Sequence, residues 1–151
     1  MPTTKKRKPA KRPRTNSKTQ FLPMPQRDSD AMCLQSRLAF EGMRGQRATS
    51  REVKTVAQAV LLTSFMTEAG HGLLDLSFVK EVEREVLALL DRGKATGDWT
   101  VPETLLEPLP SVINKHDRQL REVRLGVVKA AVERLERMIV SAIAQQAQEG
   151  L

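Results

Sequence analysis

Residues 111–149 read SVINKHDRQLREVRLGVVKAAVERLERMIVSAIAQQAQE, a stretch with no proline and a single glycine, Gly126. Turned at about 100° per residue, it places Ile113, Leu120, Val123, Val127, Ala131, Leu135, Met138 and Ala142 on one face, flanked by Leu125, Val128, Val132 and Ile139. The pattern predicts one helix of about 35 residues, on the order of 50 Å long, running to the C-terminus. Its apolar arc is wider than a single neighbour covers, so the helix is expected at the centre of a bundle or in a seam between subunits. The opposite face sets Arg118 with Glu122, Lys129 with Glu133 and Glu133 with Arg137, each four apart, as a solvated face laced by ion pairs.

Upstream, Gly97, Pro102, Pro108 and Pro110 mark residues 93–111 as a connector. Within it Thr100-Val-Pro-Glu103 can open one helical turn, and Trp99 is the residue expected to plug the core. Phe78, Val79, Val82, Val86, Leu89 and Leu90 keep a helical rhythm up to Gly93, the expected terminator, after a break at Gly70-His-Gly72. Thr49-Ser-Arg-Glu52 is a capping box that opens a further helix with Val53, Val56, Ala57, Val60, Leu61 and Phe65 at helical spacing. A first helix is expected from Ser29 or Asp30, with Ala31, Leu34, Leu38 and Met43 inward, ending near Gly42 to Gly45. The fold class is therefore all-α: a small bundle of about four helices with a long C-terminal helix. No internal repeat of 20 to 50 residues is visible, which argues against a helical solenoid.

Charge divides the chain differently. Lys5, Lys6, Arg7, Lys8, Lys11, Arg12, Arg14 and Lys18 give the first twenty residues +8 with no acid; since the whole chain is +7, the rest carries −1. Prolines at 2, 9, 13, 23 and 25 interleave with Lys, Arg, Ser, Thr and Asn, leaving too little apolar surface to offset the entropy of ordering. Residues 1–27 are expected to form a disordered basic tail, and residues 28–151 a helical domain. Phe21, Leu22 and Met24 form an apolar patch at the junction, either docked on the helices or part of a solvated linker.

The eight cations are the one segment with a mechanism attached. On a flexible chain they can follow a phosphate backbone and displace condensed counterions, with a salt slope of about −7 if all engage duplex DNA. Such contacts are blind to sequence. Arg44, Arg47, Arg51 and Lys54 form a second cluster at the start of the capped helix, where free amides can hold an anion, although solvated loop cations are the more ordinary reading. Four Phe, one Trp and no Tyr leave few platforms for stacking single-stranded bases.

Reaction chemistry is hard to find. The single cysteine, Cys33, excludes an intrachain disulfide and a thiolate cluster, points to a reducing cytoplasm, and reads as a small apolar residue on the first helix. His71 with His116-Asp117 resembles part of the metal pattern of HD-type phosphohydrolases, but no aspartate follows Asp117 to complete it. His116 and Asp117 are instead expected in the first turns of the long helix, near the positive end of its dipole. Neither a nucleophile elbow nor a glycine-rich phosphate loop is present. No catalytic residue, metal ligand or cofactor is assigned. With no apolar run long enough to span a bilayer and no apolar segment behind the basic opening, a soluble, unsecreted chain is expected.

The opening Thr3-Thr-Lys-Lys-Arg-Lys-Pro-Ala-Lys-Arg-Pro-Arg-Thr15, with Leu22-Pro-Met-Pro25 and Lys54-Thr-Val-Ala-Gln-Ala-Val-Leu-Leu-Thr-Ser-Phe65, resembles small basic-tailed proteobacterial proteins labelled Fis-like transcriptional regulators. The resemblance covers about the first half of the chain. It implies a DNA-linked regulatory role in the bacterial cytoplasm, at the nucleoid. A genuine Fis-type protein ends in a helix-turn-helix, a motif not found here. The functional expectation is a nucleic-acid-associated accessory protein, self-associated through its last helix; the alternative is a helical protein-interaction module with no nucleic-acid role.

Overall fold

The computed structural model describes residues 17–72 and 74–150. Seven helical segments lie among them: α1 (Ser17–Gln20), α2 (Gln26–Arg44), α3 (Ser50–Glu68), α4 (Leu76–Thr96), α5 (Glu103–Leu106), α6 (Leu109–Glu122) and α7 (Leu125–Glu149). The all-α class holds, with more segments than the four expected. Two of the extra ones, α1 and α5, are single turns, and the third comes from a break in the last helix.

α3 occupies the centre, with α2, α4, α6 and α7 packed around it. Its sequence explains the position: from Ala59 to Met66 every residue is buried, so the second half of the helix has no solvated side. Thr63 meets the cost of a buried hydroxyl by donating to the Ala59 carbonyl at 2.8 Å, and Ser64 donates to Glu83 of α4 at 3.3 Å. The start of α3 follows the capping box: the Glu52 carboxylate accepts the Thr49 backbone N–H at 2.8 Å and the Thr49 hydroxyl at 2.7 Å.

The core has two lobes. Phe40 and Met43 of α2, Val53, Val56 and Val60 of α3, Val82, Val86 and Leu89 of α4, and Leu105, Leu109 and Ile113 fill one. Met24, Cys33, Leu61, Leu62, Phe65, Met66, Leu120, Val128, Ala131 and Leu135 fill the other. Gln46 clamps the connector to the first lobe, its amide donating to the Val101 carbonyl and accepting the Val101 N–H, both at 3.0 Å. That clamp offsets a left-handed backbone at Gln46, φ 57°, which costs a residue with a Cβ.

Several expectations need correction. The single C-terminal helix is two helices, because Val123 (φ −81°, ψ 145°) and Arg124 (φ −57°, ψ 138°) are extended. α2 begins at Gln26, after Pro25 rather than after a Ser29 or Asp30 cap. Its inward face is Ser29, Cys33, Ser36, Phe40 and Met43, whereas Leu34 and Leu38 are about 60% exposed. The stretch 17–27 contains α1 and the start of α2, and Met24 is buried, so the helical body reaches back past the expected boundary at residue 28. Residues 1–16, where the rest of the expected tail falls, lie outside the described residues.

α4 runs through Gly93 and ends at Gly97, whose left-handed φ of 75° suits a residue without a Cβ. Gly93 is needed for space instead: a Cβ there would stand 2.3 Å from the Trp99 ring, which packs half-buried on the first lobe. α5 follows Pro102 without a side-chain cap, so Thr100 does not start it. Of the three ion pairs expected on the last helix, Arg118 and Glu122 pair at 3.3 Å, while Lys129, Glu133 and Arg137 make no ion pair among the described residues.

Candidate interaction surface on the last helix

α7 has two halves with different surroundings. In the first, Val128, Ala131 and Leu135 are buried against the second lobe, and Arg134 lies 4.0 Å over the Phe65 ring of α3. The Arg134 guanidinium also reaches Glu68 at 2.5 Å; Glu68 takes Lys80 of α4 at 2.8 Å, and Lys80 reaches Glu83 at 3.1 Å. Hydrogen bonds from Lys80 and Arg134 hold the Glu68 carboxyl below the usual carboxylate range. This chain of charges ties α7, α3 and α4 together at the last point where α7 touches the body.

Beyond Leu135 every described residue of α7 is exposed. Met138 (42%), Ile139 (41%), Val140 (66%) and Ile143 (61%) stand in solvent together, and from Met138 to Gln148 the helix carries no charge. At 1.5 Å per residue the bare part, residues 136–149, projects about 20 Å. Scattered surface leucines need no explanation, but a contiguous apolar helix end does.

The root of α7 is held by the N-terminal segment. The Leu125 N–H donates to the Leu22 carbonyl at 2.8 Å, Pro23 pairs with Arg124 in an antiparallel bridge, and Met24 is buried beneath them. α1 packs on α7 at Gly126, where a Cβ would meet the Gln20 carbonyl oxygen at 3.3 Å. Arg124 stacks 5.6 Å over Phe21, so the apolar patch divides: Met24 docks in the core while Phe21 and Leu22 remain exposed.

A polar seam joins α2 to α6. Arg37 donates through Nε to Asp117 at 2.6 Å and through Nη2 to Asn114 at 2.9 Å, and Arg121 reaches Asp30 at 2.7 Å. Cys33 lies beside Asp117, and burial together with that carboxylate pushes its thiol up to about 11, which keeps it protonated and unreactive. His116 is buried in the middle of α6 rather than in a first turn; burial lowers its imidazole to about 4, so it stays neutral. Gln119 donates to the His71 carbonyl at 3.1 Å and to Thr67 at 3.3 Å. These groups pin helices together. Among the described residues no group of three or more His, Cys, Asp or Glu is placed to hold a metal.

Of the expected phosphate-binding cations, Lys5, Lys6, Arg7, Lys8, Lys11, Arg12 and Arg14 lie outside the described residues, and Lys18 is exposed on α1. In the second cluster Arg44 pairs with Glu41 at 2.7 Å, while Arg47, Arg51 and Lys54 are exposed. The α3 terminus they surround is already occupied by the Glu52 carboxylate. Among the described residues no helix is long and apolar enough to cross a membrane. Comparison with protein-family models, with curated proteins and with solved structures finds no match.

Proposed function

We propose that this protein works by binding, as a nucleic-acid-associated accessory protein of the bacterial cytoplasm. Its cationic N-terminal run contacts phosphate, and its helical body provides an assembly surface. The observation that carries this reading is the segregation of charge, +8 in the first twenty residues against −1 in the remainder. Only the first segment attracts a polyanion; the body is free to do something else. The resemblance of the N-terminal half to Fis-like regulators points in the same direction, toward DNA. A binding role also accounts for a thiol and an imidazole that are both locked in their neutral, structural forms.

The test is fluorescence anisotropy of labelled duplex at several salt concentrations, comparing the chain with a full-length variant in which the eight cations are replaced by Gln. The expected result is a steep loss of affinity and a salt slope falling from about −7 toward zero. Equal affinity for the two proteins removes the run from the mechanism. A second reading, association with protein and no nucleic-acid role, is favoured by the bare apolar end of α7. It expects stoichiometric assemblies that survive nuclease treatment.

A further inference from the structure

We propose that α7 is exchanged between two copies of this chain: the break at Val123-Arg124 straightens, α6 and α7 join into one helix, and each α7 packs on the body of the other copy. The inference deepens the assembly half of the reading above and needs no nucleic acid.

The partner is chosen by a surface already in place. In the single chain Val128, Ala131 and Leu135 are buried in the second lobe, Arg134 lies 4.0 Å over the Phe65 ring, and its guanidinium reaches Glu68 at 2.5 Å. An α7 arriving from a second copy remakes each of these contacts on the same residues, so the occupant of the slot is fixed by the fit that α7 itself shows. No described element follows α7, and a hinge of two residues joins it to α6, so it can change bodies while the other helices stay where they are.

The hinge has nothing local that breaks a helix. Residues 111–149 hold no proline, and the apolar face passes through the hinge in register: Ile113, Leu120, Val123, Val127 and Ala131 stay on one side when a continuous helix is turned at about 100° per residue. α6 ends at Val123 without a left-handed residue, and α7 opens on Arg124 with no side-chain cap and no acid in its first turn. The signals that fix a helix boundary are therefore missing on both sides. The backbone shows what the break leaves undone. The Leu125 N–H leaves the helix to reach the Leu22 carbonyl at 2.8 Å, and the Val127 N–H turns to Arg124, three residues back, at 3.0 Å. In one continuous helix these amides bond to Arg121 and Val123, each four residues back.

The strap opposes exchange, because straightening the hinge gives up the Leu22–Leu125 bond. Its hold is light: of residues 18–24 only Met24 is buried. Since the closed form is one chain and the exchanged form is two, concentration decides between them.

The experiment is sedimentation equilibrium of the full chain, free of nucleic acid, from about 1 to 100 µM, after refolding from urea at each concentration so that α7 is free to choose a body. The expected mass at the upper end is twice 16.9 kDa. Arg124→Pro separates exchange from any other pairing. Arg124 already has a φ of −57°, Val123 before it is extended, and the Arg124 N–H donates no hydrogen bond among the described residues, so proline suits the closed hinge and forbids the straight one. The variant is expected to keep its helicity by circular dichroism and to associate about 100-fold more weakly. Pairing between copies is read from a mixture. Glu68→Arg chains and Arg134→Glu chains each set like charges together when α7 packs on its own body or on that of an identical copy, whereas exchange between the two kinds restores opposite charges in both slots. Refolded together and counted by native mass spectrometry, they are expected to favour mixed dimers over like ones by about tenfold, and a chain carrying both substitutions to pair with itself as wild type does. A wild-type chain that stays monomeric throughout the range, an R124P chain that pairs as before, or mixed dimers at no more than their statistical share overturns the proposal. Failure of the duplex titration described above leaves these measurements unaffected, so the two ideas fall separately.

Discussion

The Leu125 amide donates to the Leu22 carbonyl across 2.8 Å, and with that bond the chain's N-terminal segment closes the gap between its last two helices. Val123 and Arg124 leave the helical region, and the backbone groups freed by the break find partners in a strap from a hundred residues earlier. The direction of α7 is thus set by the segment that follows the cationic run.

Gly126 is the close point of that strap. A leucine there has no room beside the Gln20 carbonyl, so Gly126→Leu is expected to free α1 from α7 at a cost of about 1–3 kcal/mol while the bundle persists. Hydrogen exchange at the Leu125 amide and protease cleavage near Phe21 should both accelerate. Unchanged protection at Leu125 would contradict the packing described.

Gly93→Ala tests the other glycine contact. Alanine is the better helix former by about 1 kcal/mol, yet its methyl would stand in the Trp99 ring. The steric term wins: the expected outcome is a red-shifted emission from Trp99, the only tryptophan, and a net loss of about 1–3 kcal/mol in denaturant melts. A stabilised variant with unshifted emission would refute this.

Arg37→Ala leaves Asp117 in the α2–α6 seam without its guanidinium. The Asp117 side chain is 12% exposed, so its charge loses a partner that water only partly replaces, at a cost of about 1–3 kcal/mol. Asp117→Asn in the same chain is expected to recover part of that loss, because the amide carries no charge to strand. A double variant less stable than the single one would rule out the ion pair as the cause.

Acid should loosen the fold before carboxylates are protonated. His116 titrates near 6.5 when unfolded and near 4 when folded, because burial outweighs the opposing pull of Asp117. Above pH 6.5 both states are neutral and the stability is fully present. As the pH falls toward 4 only the unfolded chain gains the proton, and about 3 kcal/mol is lost. His116→Gln should flatten urea midpoints measured between pH 7 and pH 4; an unaltered slope would assign it elsewhere.

Much of this fold was legible in the sequence, and the failures have identifiable causes. The capping box at Thr49 and Glu52 and the apolar rhythm of α3 depend on local chemistry, and both appear as read. The break at Val123-Arg124 does not, because neither residue is a helix breaker and the reason for the break, the Leu22 carbonyl, is remote in sequence. α2 misled for a related reason: Leu34 and Leu38 are its most apolar residues, but the polar seam with α6 turns Cys33 and Ser36 inward. Gly93 looked like a terminator because glycine ends helices and also admits aromatic rings, and only the position of Trp99 distinguishes the two uses. At the candidate surface, the wide apolar arc was visible from the start. Which half of it the body covers depended on where the helix broke.

The anchoring of α1 at the root of α7 brings the two ends of the described chain to one place: Gln20 and Leu22 meet Leu125 and Gly126 there. A change that loosens the early segment therefore reaches the start of the last helix directly, without passing through the hundred residues between them.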